Sequence, residues 1–283
     1  MERQIYYKHE GGINPAGIIS SLLFGTIAAV VGSFIYSYAI AYIPFVYLNF
    51  LICIGFSALV GYAVAIGAKK GKIRNANLVF ILAVLAGLLA EYAQWVTWLF
   101  AYSKQGIWTM SLSEMKFWLS IILEEGAWSF KGTVVTGTPL LIIWLIEGAV
   151  IIFFGAFIAR SEIAETPFCE RCYQWVESKV KLPNIQMIAP VSVIKGQMEA
   201  GDFSSLLAAP RSNSGDARYL QVILSRCNSC TSSNFLTLNL VELVKNKNKV
   251  TEKKTLMVRN LIINYDIYNL FIDPHYSPMG QQS

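Results

Sequence analysis

Charged residues are scarce in this chain of 283 residues: Asp, Glu, Lys and Arg make up only 14% of it, whereas they make up roughly 25% of an ordinary soluble domain. Hydrophobic residues make up 54%, and most of them lie in four long runs before residue 160. This imbalance excludes a simple cytosolic enzyme. It indicates a membrane protein with a soluble C-terminal tail.

Recognisable patterns of catalytic residues are also missing from the sequence. The chain has two histidines, His9 and His275, and neither has a Cys, Asp or Glu neighbour at metal-ligand spacing. The sequence contains no Ser-His-Asp arrangement, no phosphate-binding glycine loop and no H-E-x-x-H motif. We therefore expect a protein that is not an enzyme.

Four apolar runs are each long enough to cross a membrane as a helix. A hydrocarbon core about 30 Å thick requires about 20 residues, and each run meets that length with at most one formal charge. The first run is too long for the apolar core of a signal peptide, so we expect it to remain attached. The predicted spans are residues 16–43, 46–68, 77–101 and 138–159.

The basic residues that flank the runs predict the orientation. Seven of them lie on the side that both termini should share, and three lie in the loop 102–137 on the opposite side. Because Lys and Arg favour the cytoplasmic side, we expect a multi-pass protein of the inner (plasma) membrane with both termini in the cytoplasm. The seven residues are Arg3, Lys8, Lys69, Lys70, Lys72, Arg74 and Arg160.

The loop between the third and fourth runs contains a further helix candidate. Ser111 and Glu114 fit the S-x-x-E capping box, and apolar residues follow at helical spacing over residues 111–125. This pattern is typical of an amphipathic helix at the membrane interface. Such a helix would either rest as a lid on the bilayer or the bundle, or form a surface for a partner or an extracellular ligand.

Two glutamates lie inside the predicted spans. Glu91 and Glu147 should lie at the same depth, about 14–15 Å from the outer boundary. Gln94 and the hydroxyls of Ser33, Tyr36 and Ser37 could join them. An ionisable residue inside a membrane is a candidate functional site, and two carboxyl groups in contact could share a proton. The alternative is that protonated glutamates form hydrogen bonds between helices or protomers and hold an assembly together.

Small residues recur on helix faces of the apolar runs. They allow helix backbones to approach each other closely, so they predict packing rather than transport. These residues are Gly25 and Gly32, Ser57 and Gly61, and Gly148 and Gly155.

Four of the five cysteines form two C-x-x-C pairs in the tail. Cys169 with Cys172, and Cys227 with Cys230, supply four thiolates, enough for one tetrahedral structural zinc site. An iron site with the same ligands, a redox dithiol and, if the topology were inverted, two disulfides are the alternatives. The fifth, Cys53, lies in the second run, where we expect it to act as a small buried hydrophobic residue.

The sequence around the second pair predicts β-structure. Residues 219–225 can form a strand, residues 236–240 alternate apolar and polar side chains with a period of two, and residues 255–263 are a third strand candidate. A hairpin that carries one cysteine pair at its tip, together with the other pair, resembles a zinc ribbon. The resemblance concerns only the fold, that of a small domain held together by a bound metal ion, and implies no particular activity.

The predicted architecture is an α-helical membrane bundle over residues 1–160 and a cytoplasmic, β-rich, zinc-ribbon-like domain over residues 161–283, with an insertion at 173–216. The leading hypothesis is a non-enzymatic anchor, adaptor or sensor that binds one structural Zn²⁺ and a cytoplasmic protein partner. The alternative is an oligomeric channel or proton-coupled carrier that uses Glu91 and Glu147. We expect a homo-oligomer.

A nucleic-acid partner is not expected. Residues 160–283 contain 14 basic and 11 acidic residues, and no aromatic stripe lies between the basic ones, so the signal is too weak for such a partner.

Overall fold

A computed structural model describes residues 5–43, 45–103, 106–130, 132–212, 216–246 and 249–273. The chain divides into two compact units. The first, which we call the membrane unit, comprises residues 10–165, and the second, the C-terminal unit, comprises the described parts of 1–9 and 166–283. Arg3 and His275 lie outside the described residues.

The membrane unit contains four helices that are long and apolar enough to cross a membrane, which confirms that prediction. The fourth is a continuous helical segment over Gly137–Glu165, and it reaches six residues beyond the predicted end of its apolar run. The elements are α1 (Pro15–Tyr42), α2 (Val46–Lys70), α3 (Ala76–Tyr102), then α5 (Gly137–Ala149), a π-helical turn (Val150–Phe154) and α6 (Gly155–Glu165).

Asparagine side chains begin two of these helices. The Asn14 side chain accepts a hydrogen bond from the Ala16 backbone N–H at 3.1 Å, and Pro15 occupies the first turn, where its missing N–H costs nothing. The Asn75 side chain accepts from the Leu78 N–H at 3.0 Å. These caps satisfy backbone donors that a helix start otherwise leaves unpaired.

Small residues fill the interior of the bundle, because the helix backbones lie very close together. A Cβ atom at Gly61 would lie 2.2 Å from the Gly155 carbonyl oxygen, and one at Gly25 would lie 2.8 Å from a Val64 methyl group. Large apolar side chains such as Ile35 point outward and are exposed. A lipid environment explains this arrangement, since helix association there depends on close packing rather than on burial of large apolar groups.

The π-helical turn in the fourth segment is held by a serine from α2. The Ser57 hydroxyl donates to the carbonyl oxygens of Val150 at 2.8 Å and Ile151 at 2.9 Å. The Gly155 N–H donates back to the same hydroxyl at 2.8 Å. A π-turn disturbs the regular α-helical hydrogen-bond ladder, so Ser57 satisfies backbone groups that would otherwise be unpaired.

The loop after α3 contains helix α4 (Leu112–Glu125), followed by a short hairpin of β1 (Ser129–Phe130) and β2 (Thr133–Val134). Met115 of α4 is buried against residues of α3, so this helix rests on the bundle. The predicted capping box is wrong. Ser111 is the N-cap residue but makes no side-chain capping bond, because its hydroxyl contacts Ser113 and the Glu114 carboxylate accepts from Thr109 at 2.6 Å.

The C-terminal unit is built on an antiparallel sheet. Strands β5 and β6 both pair with β7, which pairs with β8, which in turn pairs with β9. The three strands predicted from the sequence lie within β7, β8 and β9. The bounds are β5 (Lys179–Lys181), β6 (Ile185–Gln186), β7 (Arg218–Arg226), β8 (Asn234–Asn246) and β9 (Lys249–Ile263), and β3 (Phe168–Cys169) and β4 (Gln174–Trp175) form a separate hairpin.

Three short helices complete this unit: α7 (Val191–Glu199), α8 (Ser204–Ala208) and α9 (Tyr265–Ile272). Their apolar side chains form one core with alternate residues of the sheet, among them Leu220, Val222 and Leu224 of β7. Because alternate residues of a strand face the same side, this core covers one face of the sheet. The region between the two cysteine pairs therefore supplies part of the core.

The N-terminal segment adds a short stretch of pairing to β9. The Tyr7 N–H donates to the Asn260 carbonyl at 3.0 Å, and the Ile262 N–H donates to the Ile5 carbonyl at 2.9 Å. The Tyr6 hydroxyl donates to the Glu199 carboxylate of α7 at 2.5 Å. Residues 5–7 are thus an integral part of the C-terminal unit.

Candidate metal centre and intramembrane polar site

The four tail cysteines meet at one point of the C-terminal unit. Cys169 ends β3 and Cys172 lies in the turn to β4, whereas Cys227 and Cys230 lie in the connection between β7 and β8. All four sulfur atoms lie within 4.8 Å of one another, and the sulfurs of Cys169 and Cys230 are 3.6 Å apart. Zn–S bonds of about 2.3 Å in a regular tetrahedron separate the sulfurs by about 3.8 Å, so the cluster has the size of a four-thiolate metal site.

The two pairs contribute one fully buried and one partly exposed sulfur each. Cys169 and Cys227 are 0% and 2% exposed, and they form a small core with Val176 and Phe235. Cys172 and Cys230 are partly exposed. The cluster thus has an enclosed side and a side that a metal ion can reach from solvent.

Several groups donate hydrogen bonds to these sulfurs. The Gln174 side-chain amide donates to Cys227 at 2.9 Å, and the Ser233 hydroxyl donates to Cys169 at 3.2 Å. The Ser232 hydroxyl lies 3.1 Å from the Cys230 sulfur. Hydrogen bonds with the side chain and backbone of Ser232, and with Cys172 and Cys169, lower the pKa of Cys230 to about 6. Donors of this kind stabilise thiolates and orient metal ligands.

The Cys172 thiol holds its proton within the cluster. A hydrogen bond to Cys230 is the largest of the causes that raise the pKa of Cys172 to about 12. A Cys230 thiolate therefore lies beside a protonated Cys172, and a bound divalent metal would release the Cys172 proton, because the thiolate is the ligand form. None of the five cysteines, all of which the structure describes, is disulfide-bonded.

Comparisons with protein family models, with curated proteins and with solved structures found no match to this chain.

The four sulfur ligands indicate which metal ions the cluster can bind. Four thiolates at tetrahedral spacing suit zinc or iron. They fill all four positions of a tetrahedral ion and leave none open for a substrate, which is typical of a structural metal site.

The second candidate site lies in the membrane unit. The Tyr36 hydroxyl donates to the Glu147 carboxylate, and the Cys53 thiol contacts the Glu147 carbonyl oxygen at 3.7 Å. Tyr36 lies on α1, Cys53 on α2 and Glu147 on α5. Glu147 therefore contacts α1 through its carboxylate and α2 through its backbone carbonyl.

Glu91 has its own donors. The Trp95 indole N–H donates to its Oε1 atom at 2.7 Å, and the Gln94 amide lies 3.4 Å from the same atom. A Cβ atom at Gly148 would lie 3.1 Å from this oxygen, so Glu91 packs against the residue that follows Glu147. Its Oε2 atom is buried without a hydrogen-bond partner among the described residues.

Glu91, Gln94 and Glu147 thus lie near one another, but in different surroundings. Gln94 and Glu147 line a cavity of about 580 Å³, and Glu91 is not among its lining residues. Each carboxyl group accepts a hydrogen bond from an aromatic side chain, Tyr36 or Trp95.

Sequence reasoning missed several supporting residues. Trp95 lies four residues after Glu91, a spacing that brings two side chains together on one helix face, and this signal could have identified it. Gln174, Ser232 and Ser233 are polar residues within three positions of a cysteine. Residues that donate hydrogen bonds to metal ligands often lie at such positions.

Proposed function

We propose that this chain is a multi-pass membrane protein whose C-terminal unit, held together by one structural zinc ion, binds a cytoplasmic protein partner. The observation that carries the proposal is the meeting of four cysteine sulfurs within 4.8 Å. They come from two connections that are far apart in the sequence. The zinc-ribbon likeness, the adaptor role and the cytoplasmic location are parts of this proposal.

A metal ion at this point would hold three parts of the unit together. The β3–β4 hairpin supplies two ligands and the β7–β8 connection supplies two. Tyr7 of the N-terminal segment packs against the same cluster, and its hydroxyl accepts a hydrogen bond from the Phe168 N–H at 3.0 Å. Since a structural zinc ion contributes folding free energy directly, its role here is to stabilise the surface that a partner would contact.

Two observations support a cytoplasmic location for this unit. Basic residues dominate the flanks on the side of the termini. The N-terminal segment pairs with β9, and an even number of spans returns the chain to the side from which it started. Both ends therefore belong on one side, and the reducing cytoplasm preserves thiols as metal ligands.

The β8–β9 hairpin is the part of the unit that best suits a protein partner. Val250 and Leu256 of β9 are 58% and 41% exposed, and Val244 of β8 is 44% exposed. The strand register places Val244 on the face opposite to Val250 and Leu256. We take these exposed apolar side chains as the contact surface for the proposed partner.

The adaptor role is tested with the full chain solubilised in mild detergent. A partner that co-purifies with the wild type is identified, purified and titrated back onto the wild-type chain. The substitution Val250→Glu should weaken this binding by about tenfold or more, since a charge replaces an apolar contact at the interface. The matched control Val180→Glu, at an exposed valine of β5, should retain binding. Recovery of the chain with no stoichiometric partner, or equal binding by both variants, contradicts the proposal.

A channel or proton-coupled carrier is the second candidate, and one observation favours it. Glu147, an ionisable residue within the membrane unit, lines a cavity, as a group that exchanges protons or cations would. In proteoliposomes with a pH-sensitive dye, a carrier should give a flux in the wild type that Glu147→Gln abolishes. The absence of any flux in the wild type contradicts this candidate.

A further inference from the structure

The cavity of the membrane unit has a composition that points to a ligand. It has a volume of about 580 Å³ and extends from Glu147 of α5 to Trp128 in the connection after α4. Ligand sites of soluble and membrane proteins are typically cavities of about 300–1,000 Å³ with mostly apolar walls and few polar groups. The size of this cavity suits one small organic molecule.

Aromatic rings form one wall. The ring centroids of Trp95 and Trp144 are 5.0 Å apart, and those of Trp98 and Trp144 are 6.4 Å apart. Tyr102 stacks on Trp98 with centroids 4.7 Å apart. Indole rings present an electron-rich face that attracts cations, and tryptophan does so most strongly.

Two side chains in the cavity wall offer oxygen acceptors that a ligand could use. Glu147 supplies a carboxyl group to the wall, and Asn49 also lines it. The side-chain oxygen of Asn49 is buried without a hydrogen-bond partner among the described residues. No Lys, Arg or His is among the described residues that line the cavity. A ligand with N–H donors and a positive charge would satisfy both the unpaired oxygen and the carboxyl group.

The geometry points to a binding site for a hydrophobic ammonium ion, meaning a protonated amine with an apolar or aromatic body. Its N–H groups pair with Glu147 and Asn49, and its apolar body lies against Trp95, Trp98 and Trp144. The neutral or anionic apolar molecules of the bilayer lack the charge that this wall attracts. This site lies in the membrane unit and does not depend on the metal centre.

The test uses the full chain in nanodiscs of zwitterionic lipid, with empty nanodiscs subtracted. Three probes of similar shape are titrated by calorimetry: 3-phenylpropylamine, which is protonated at neutral pH, the neutral 3-phenylpropanol, and the quaternary trimethyl derivative of the amine. The amine should bind saturably with one site per chain, and the alcohol about tenfold or more weaker, because it lacks the charge. The quaternary ion should fall between them, because it keeps the charge but cannot donate to Asn49.

Two variants locate the site. Glu147→Gln should reduce the affinity for the amine to that for the alcohol, whereas Glu124→Gln, the same change at an exposed residue of α4, should leave it unchanged. Gel filtration and circular dichroism confirm that both variants are folded. If Glu147→Gln fails to fold, the comparison of the three probes on the wild type decides alone.

Equal affinity of the wild type for amine and alcohol would overturn the proposal, since the cavity would then be a general apolar space filled by lipid. No saturable binding of the amine would also overturn it. Unchanged amine binding by a folded Glu147→Gln variant would show that the carboxyl group is not the anchor and would overturn it as well.

Discussion

Cys227 is buried where the β7–β8 connection meets the β3–β4 hairpin, and it accepts a hydrogen bond from Gln174. The substitution Cys227→Ser should abolish zinc binding and loosen the sheet, because a structural ion needs all four thiolates to contribute its folding free energy. Hydrogen exchange of the β7 and β8 amides should become much faster, while the four spans remain protected.

Cys53→Ser is the matched control for this prediction. Cys53 is also buried, but it lies in α2, outside the four-cysteine cluster. This variant should keep its zinc and its slow exchange in the sheet. Normal exchange in a metal-free Cys227→Ser variant would show that the unit folds without the ion.

Tyr6 connects the N-terminal segment to α7 and has an unusual pKa. Burial and the hydrogen bond to Glu199 raise the pKa of Tyr6 from 10.0 to about 12. Because the folded-state pKa exceeds the unfolded one, the stabilisation is complete below pH 10 and is lost as the pH rises towards 12. The protection factor of the Ile262 amide, which donates to Ile5, should therefore fall over this range by more than the intrinsic base catalysis of exchange explains.

The variant Tyr6→Phe provides the control for this titration. It lacks the ionisable hydroxyl, so exchange at Ile262 should already be faster at neutral pH and should show no additional step between pH 10 and 12. An identical step in Tyr6→Phe and the wild type would assign the effect to another group.

Among the helices, the close contact between α2 and α6 can be tested by a glycine substitution. A Cβ atom at Gly61 would lie 2.2 Å from the Gly155 backbone, so Gly61→Ala should force the two helices apart. Overpacking of this kind costs about 1–3 kcal/mol. The free energy of unfolding, measured by denaturant titration in mixed micelles, should fall by about this amount.

Gly55→Ala in the same helix separates packing from helix propensity. A Cβ atom at Gly55 meets no other atom within 4 Å, and alanine favours a helix by about 1 kcal/mol over glycine. This variant should be neutral or slightly more stable than the wild type. A similar change in stability for both glycines would contradict the proximity of α2 and α6.

The sequence predicts the helices and strands where a strong pattern decides the structure. The apolar runs locate the four spans because length and hydropathy alone determine insertion. The alternation of Leu236, Leu238 and Leu240 predicts β8 because period-two patterns are specific to half-buried strands. The spacing of the four cysteines predicts their cluster because each C-x-x-C pair forms one corner of a site.

Other elements depend on contacts that leave no local signal. The π-turn at Val150–Phe154 depends on Ser57, which lies on another helix. Residues 5–7 pair with β9, which lies near the other end of the chain, and no local pattern in so short a segment predicts this pairing. The capping box fails at Ser111 because Thr109, outside the motif, competes for Glu114.

For the whole molecule, we expect a topology in which both ends of the chain lie in the cytoplasm. A reporter fused after Ser283 that is active only in the periplasm should be inactive, and one active only in the cytoplasm should be active, because basic flanks retain these segments inside. A reporter inserted between α4 and α5, in the loop on the opposite side, should give the reverse pattern. Periplasmic activity of the C-terminal fusion would contradict this topology and would favour disulfides over a metal ion.

The metal content of the purified full chain tests whether the four cysteines of the C-terminal unit hold a structural zinc ion. The protein is prepared freshly under reducing conditions without chelators, and its zinc and iron are determined by elemental analysis against protein concentration. We expect about one zinc ion per chain, because four thiolates from one cluster complete a single tetrahedral site. Stoichiometric iron in place of zinc, or the absence of any bound metal in the reduced, folded protein, would contradict this expectation.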